Sequence, residues 1–210
     1  MTVSQPVSDL ARSALGFLSL ADTEALGRNG ILVPSPHTTL VSPDVAIDRG
    51  VVLWPGVILQ IVDEGVLSIG GGTILYPGAR VVADGGRIRI GAEVEIGEEG
   101  GFTIKASSGH EISIGRGARL LGGGSLTLSN VLGEGSQILG PIRAQNCRLA
   151  DGASHRHPVP DERGAVLKGA GVARGITLAR GQVIQSFGLF HETPIRRQSE
   201  FHPGAPKAES

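Results

Sequence analysis

The sequence predicts an all-β solenoid of short strands wound into a triangular coil of about seven turns, with short helices before it and a tail after it. Three observations carry this expectation. Aliphatic residues fall six apart without a miss at Ile114, Leu120, Leu126, Leu132 and Ile138, and the same beat runs through Val41, Ile47, Leu53 and Leu59. Glycine makes up 33 of the 210 residues, about twice ordinary usage, and it often follows the beat, as in I-G-R-G-A-R at 114–119. The segments between glycines are short and rich in Val and Ile, which favours strands over helices. A strand's period of two does not give six by itself, but three short strands per turn do. Each hexad makes one side, with its aliphatic residue inward and a small residue four positions later near the corner. Stacked turns then bury one continuous core that no single turn buries alone.

The elements follow in order. Residues 1–29 read as a helical segment. Ser8 is expected to cap a helix through Leu10, Ala14 and Leu18, and a second short helix is expected from Asp22 to Arg28, with Gly30 ending it. Pro34 and Pro36 keep the next segment extended. The coil occupies 30–186. Its sides start at Val41, Ile47 and Leu53; then Leu59, Ile69 and Leu75; then Val81, Ile90 and Ile96; then Ile104, Ile114 and Leu120; then Leu126, Leu132 and Ile138. The long steps Leu59 to Ile69, Val81 to Ile90 and Ile104 to Ile114 all fall at one corner and predict a stacked ridge there. The ridge would hold Asp63 and Glu64, then Asp84 to Gly86, then Ser107 to His110.

The outward column of the third side reads Trp54, Tyr76, Gly97, Leu121 and Leu139. Apolar character on one side alone predicts a covered surface, either under the N-terminal helices or under another subunit. After Ile138 the beat degrades. Leu149 opens a hexad one residue out of phase, H-R-H-P-V-P-D-E-R-G at 155–164 fits no regular side, and the beat resumes at Val172, Leu178 and Ile184. Residues 187–210 form a tail. Its last eight residues read as disordered, while Phe187, Leu189, Phe190, Ile195 and Phe201 predict that 187–202 packs against something.

Bulk composition narrows the function classes. Aromatics are 3%, so the core is aliphatic, and a net charge of −1 implies no broad attraction to nucleic acid or to an anionic membrane. The single cysteine, Cys147, forms no internal disulfide and points to a reducing compartment. The stretch 10–20 is too short and too polar for a membrane span. A cytoplasmic location is the expectation.

The hexads, an aliphatic residue followed by Gly, Ala or Asp and later by a small residue or Val, resemble the left-handed parallel β-helix of the hexapeptide-repeat transferases. The stretch G-I-L-V-P-S-P-H-T-T-L-V-S-P-D-V-A-I-D-R-G-V-V-L-W-P-G-V-I-L at 30–59 is similar to the start of the β-helix in UDP-N-acetylglucosamine pyrophosphorylase/glucosamine-1-phosphate acetyltransferases. The resemblance spans about 150 residues as architecture and roughly 30 as a closer match. It implies left-handedness, a homotrimer, sites in clefts between subunits, and acyl transfer from a coenzyme A thioester to a small polar acceptor, sugar-like or amine. The sequence has no nucleotidyltransferase domain and no G-H-L-S-Y-x-G-D segment bearing that family's histidine, so no catalytic residue is carried over.

Candidate chemistry therefore rests on the residues themselves. The break D-G-A-S-H-R-H-P-V-P-D-E-R-G-A-V-L-K at 151–168 gathers two histidines, two arginines and a lysine. In an extended chain His155 and His157 point the same way, which suits a general base with a second polar group or a pair of metal ligands. Arg156, Arg163 or Lys168 suits a phosphate or carboxylate. His110, at the tip of the third corner insertion, is a further candidate base. A metal would need a third ligand from His110, His191 or Asp151; no metal is assigned. Three readings stay open: the acyltransferase, a non-catalytic trimeric scaffold or binding module, and a metal-dependent lyase or hydratase resembling γ-class carbonic anhydrase.

Overall fold

The computed structural model describes residues 7–207. The chain forms a parallel β-helix of seven triangular coils, and strand pairing sets each aliphatic residue directly above its counterpart one coil earlier. First sides stack as Val41, Leu59, Val81, Ile104, Leu126, Ala144 and Ala173. Second sides stack as Ile47, Ile69, Ile90, Ile114, Leu132, Leu149 and Leu178. Third sides stack as Leu53, Leu75, Ile96, Leu120, Ile138, Leu167 and Ile184. Apart from half-buried Ile47, every one of these side chains is buried. Each fully buried Leu or Ile contributes about 1.5–3 kcal/mol. The corner residues four positions on, such as Val51, Val57, Ala79, Val94 and Ala118, are also buried.

Two details of the beat differ from the sequence reading. Ala144 and Ala173 hold the inward first-side positions of the last two coils, so the inward residue there is Ala173, and Val172 faces partly outward. Leu149 is in register with Leu132 and Leu178, because both of the last two coils turn their first corner one residue sooner.

The predicted ridge is present. The long-step insertions stack at the corner between first and second sides, where Gly85 bridges to Ser107. Asp63 and Glu64 turn there with positive φ, 46° and 58°. Arg89 pairs with Glu111 and Lys105 with Asp84 across neighbouring coils.

Both ends of the coil are closed. Helix α1, Val7–Ala14, begins one residue ahead of Ser8, so Ser8 lies inside its first turn. Helix α2, Leu20–Ala25, is capped by Ser19, whose hydroxyl accepts the Asp22 N–H, and starts earlier than expected; Gly30 ends the following 3-10 turn in a left-handed conformation. These helices sit on the first coil. The Leu18 N–H donates to the Val41 carbonyl at 2.8 Å, and buried Arg12 reaches the carbonyls of Pro36 and His37 at 2.7 and 3.0 Å. They do not cover the column of Trp54, Tyr76, Leu121 and Leu139, of which Trp54 is 41% exposed. At the other end Phe190, fully buried, plugs the core. No helix among the described residues is long and apolar enough to cross a membrane.

Candidate functional site

The largest irregularity lies between the second and third sides of the sixth coil, where the chain leaves after Leu149 and returns at the strand Val166–Arg174. Pro158 and Pro160 deny this stretch a strand ladder. It closes on itself instead. Ala153 N–H donates to the Glu162 carbonyl at 2.7 Å, and Gly164 N–H to the Ala153 carbonyl at 3.1 Å. The base presses hard onto the coil below: a Cβ on Gly164 would lie 2.4 Å from the Ser136 nitrogen, so only glycine permits that approach.

The tail folds over this loop. Arg196–Arg197 pairs antiparallel with Gln182 and Val183. Beyond it, Gln198 is buried and its amide donates to the Gly164 carbonyl at 2.8 Å. The Ser199 N–H and hydroxyl donate to the two oxygens of Asp161 at 2.9 and 2.8 Å. The tail thus docks through polar contacts; of the apolar residues that predicted packing only Phe190 is buried, while Phe187, Leu189, Ile195 and Phe201 stay exposed. Of the eight terminal residues read as disordered, the first enter a turn in which Ala205 N–H donates to the His202 carbonyl at 3.0 Å; 208–210 lie outside the described residues.

Between loop, tail and coil lies a cavity of about 260 Å³. Its floor is the outward third side, with Gln137, Leu139, Val166, Lys168, Val183 and Gln185; the loop adds His155 and Arg163, and the tail adds Gln198, Phe201 and His202. No hydrogen bond from the described residues engages the His155 ring. Partial burial lowers its pKa from 6.5, and the positive charges of Arg119, Arg156 and Arg163 lower it further, with Glu95 opposing. His155 is therefore neutral at pH 7 with its ring open to the cavity. Arg163 is fixed by Nε, which donates to the His157 carbonyl at 2.8 Å, and its Nη1 lies 3.4 Å from His202 Nε2. Arg119 donates to Glu95 at 2.9 Å and to the Gln137 amide oxygen at 3.4 Å. Gln137 is thereby oriented with its NH₂ group free to donate elsewhere.

The sequence-predicted residues divide. His155, Arg163 and Lys168 meet at the cavity. His157 does not join them. Residues 155–156 form a turn, with His157 N–H donating to the Ser154 carbonyl at 2.9 Å, so the chain is not extended and the two rings part. The His157 ring folds back on Val159, Nδ1 lying 3.2 Å from its carbonyl. Arg156 is exposed and outside the cavity. His110 sits on the corner ridge, 3.2 Å from the Ser129 hydroxyl, at the edge opposite the third side. His191 is exposed beside Glu192. Cys147 is fully buried, and burial raises its thiol pKa. Among the described residues no three His, Cys, Asp or Glu side chains are placed to hold a metal. Gln198 and His202 were not legible as site residues; apolar spacing in the tail signalled docking and nothing more.

No family model matches the sequence, and no curated protein does. The fold is similar to that of a Bacillus cereus structure named as an acetyltransferase candidate, at 14% identity over 81% of this chain and 84% of that one, with a TM-score of 0.31. It is also similar to that of PerB from Caulobacter crescentus, solved with CoA and GDP-perosamine, at 15% identity over 90% of this chain and 76% of that one, with a TM-score of 0.23. Both TM-scores lie below 0.5, and the β-helix assignment rests on the strand register of this chain itself.

Proposed function

We propose that this protein is an acyltransferase that moves an acyl group from a coenzyme A thioester to a hydroxyl or amine of a small polar acceptor. The observation that carries this reading is His155: an imidazole without an internal partner, facing a cavity beside Arg163 and Lys168, with burial favouring its neutral form. A neutral imidazole accepts the proton of an attacking hydroxyl or amine. Arg163 and Lys168 bind and orient the acceptor. Phe201 and the docked tail exclude water from one side.

The cavity fits an acceptor or the end of a thioester arm, not a whole coenzyme A. At about 260 Å³ it falls below the roughly 300–1,000 Å³ of pockets that hold drug-sized ligands. The rest of the donor needs another surface. The uncovered column Trp54, Tyr76, Leu121 and Leu139 runs along the same face and ends at the cavity with Leu139. A second subunit on that column, in a homotrimer, would supply the missing wall. Calorimetry with acetyl-CoA and CoA tests the reading, with binding at millimolar concentration or tighter expected. If neither binds, acyl transfer is wrong and the scaffold reading takes its place. Sedimentation of the wild type against Trp54→Glu tests the trimer, which the variant should dissociate.

A further inference from the structure

Charge on the cavity wall is one-sided. Arg163 and Lys168 line it beside the imidazoles of His155 and His202, and no carboxylate does. The nearby acids are committed elsewhere. Asp161 holds Ser199, Glu162 pairs with Arg180 at 3.4 Å, and Glu95 pairs with Arg119 at 2.9 Å. Among the described residues, no carboxylate stands within ion-pair distance of Arg163 or Lys168. The two contacts of Arg163 are the His157 carbonyl and His202 Nε2. A guanidinium only donates, so the second contact requires Nε2 to be unprotonated, and neither partner neutralises the charge. The remaining donors lining the space are the Gln137, Gln185 and Lys168 side chains.

We propose that the tail segment Gln198–His202 completes an anion subsite, in which Arg163, Lys168 and His202 hold a carboxylate or phosphate group of the ligand. The tail makes this possible. Its latch engages Asp161 through Ser199, and His202, three residues further on, lies against Arg163. A guanidinium fork plus an ammonium suits a planar or tetrahedral oxyanion. The inference rests on the transfer reading only for the view that this cavity is the reaction site, and it deepens that reading by naming the substrate class. The anionic group belongs either to the acceptor or to the phosphates of coenzyme A.

The test is a titration of the full chain with inorganic phosphate, read by the imidazole nitrogen signals of His155 and His202 at constant ionic strength held with chloride. Saturable shifts of both at millimolar phosphate are expected. Lys168→Met, at an exposed position that leaves the coil intact, should weaken binding at least about tenfold, as loss of one charge-assisted hydrogen bond implies. Ser199→Ala with Asp161→Ala, which frees the tail, should weaken it as well. Repeating the titration with saturating CoA separates the sources. Shifts that persist assign the subsite to the acceptor, and shifts that vanish assign it to the donor's phosphates. No saturable shift, or an unchanged affinity in Lys168→Met, overturns the proposal. Phosphate binding in a protein that binds no CoA would leave the subsite standing while the transfer reading falls.

Discussion

The ridge around His110 and the loop around His155 are both insertions between sides of the coil, yet they build different surroundings. On the ridge, insertions stack in three successive coils, and charges at and beside them pair across coils as Arg89–Glu111 and Lys105–Asp84. The His110 ring finds the Ser129 hydroxyl and faces a shallow groove shared with Glu64 and Glu111. The loop at 151–164 is a single larger insertion. The tail roofs it, Asp161 is bonded to Ser199 and Glu162 to Arg180, and the His155 ring is left open with cations beside it. The difference teaches that an insertion encloses a usable site when a second segment covers it and when its charges are not cancelled within the chain.

The strongest way to break this comparison is to delete each ring in turn. His155→Ala should lower acyl transfer by about 10²-fold or more, the ordinary range for a general base, whereas His110→Ala should leave it unchanged. A transfer assay that shows the reverse order would move the site to the ridge.

Next in size are the anchoring hydrogen bonds. Gln198→Leu strands the buried Gly164 carbonyl and should cost about 1–3 kcal/mol, read as a lower midpoint in denaturant. Ser129→Ala on the ridge removes a solvent-accessible contact and should cost under about 0.5 kcal/mol. Equal effects would mean that the roof is no better anchored than the ridge.

A smaller effect sharpens the electrostatic half. The folded-state pKa of His155 lies below 6.5. Above that value the ring is neutral in both folded and unfolded chains and adds nothing to the pH dependence. As pH falls through 6.5 the unfolded chain protonates first, so stability declines until the folded value is passed. His155→Asn should flatten this acid-side decline in a pH series of thermal unfolding, and the acid limb of the transfer rate should lie below 6.5. Smallest of all, Arg89→Ala breaks an ion pair about half exposed on both partners and should change stability by about 0–1 kcal/mol, less in high salt.

Much of the coil was legible because its signal repeats. Fifteen inward positions from Val41 to Ile138 mark the sides, and three of the four long steps among them locate the ridge, the fourth, Ile96 to Ile104, falling at another corner. The signal weakens toward the last coils. Ala144 and Ala173 carry too little hydrophobicity to mark a side, so Val172 took the place of its neighbour. His155, Arg163 and Lys168 were legible as a cluster, because an unpatterned run of polar residues inside a pattern stands out. Their separation from His157 was not, because it depends on a turn at 155–156 that an extended chain would not make.

From the amino-acid order alone came the solenoid, its three sides, the corner ridge and the position of the break. Each depends on short-range periodicity, which fixes which residues must face inward whatever lies around them. Tertiary structure alone decided that the break becomes a cavity. That outcome depends on Gln198 reaching Gly164 and Ser199 reaching Asp161, contacts 34 and 38 positions apart. Such pairs are single polar encounters with no repeat to announce them. They also decide which carboxylates are withdrawn, and hence the sign of the charge that the cavity presents to a ligand.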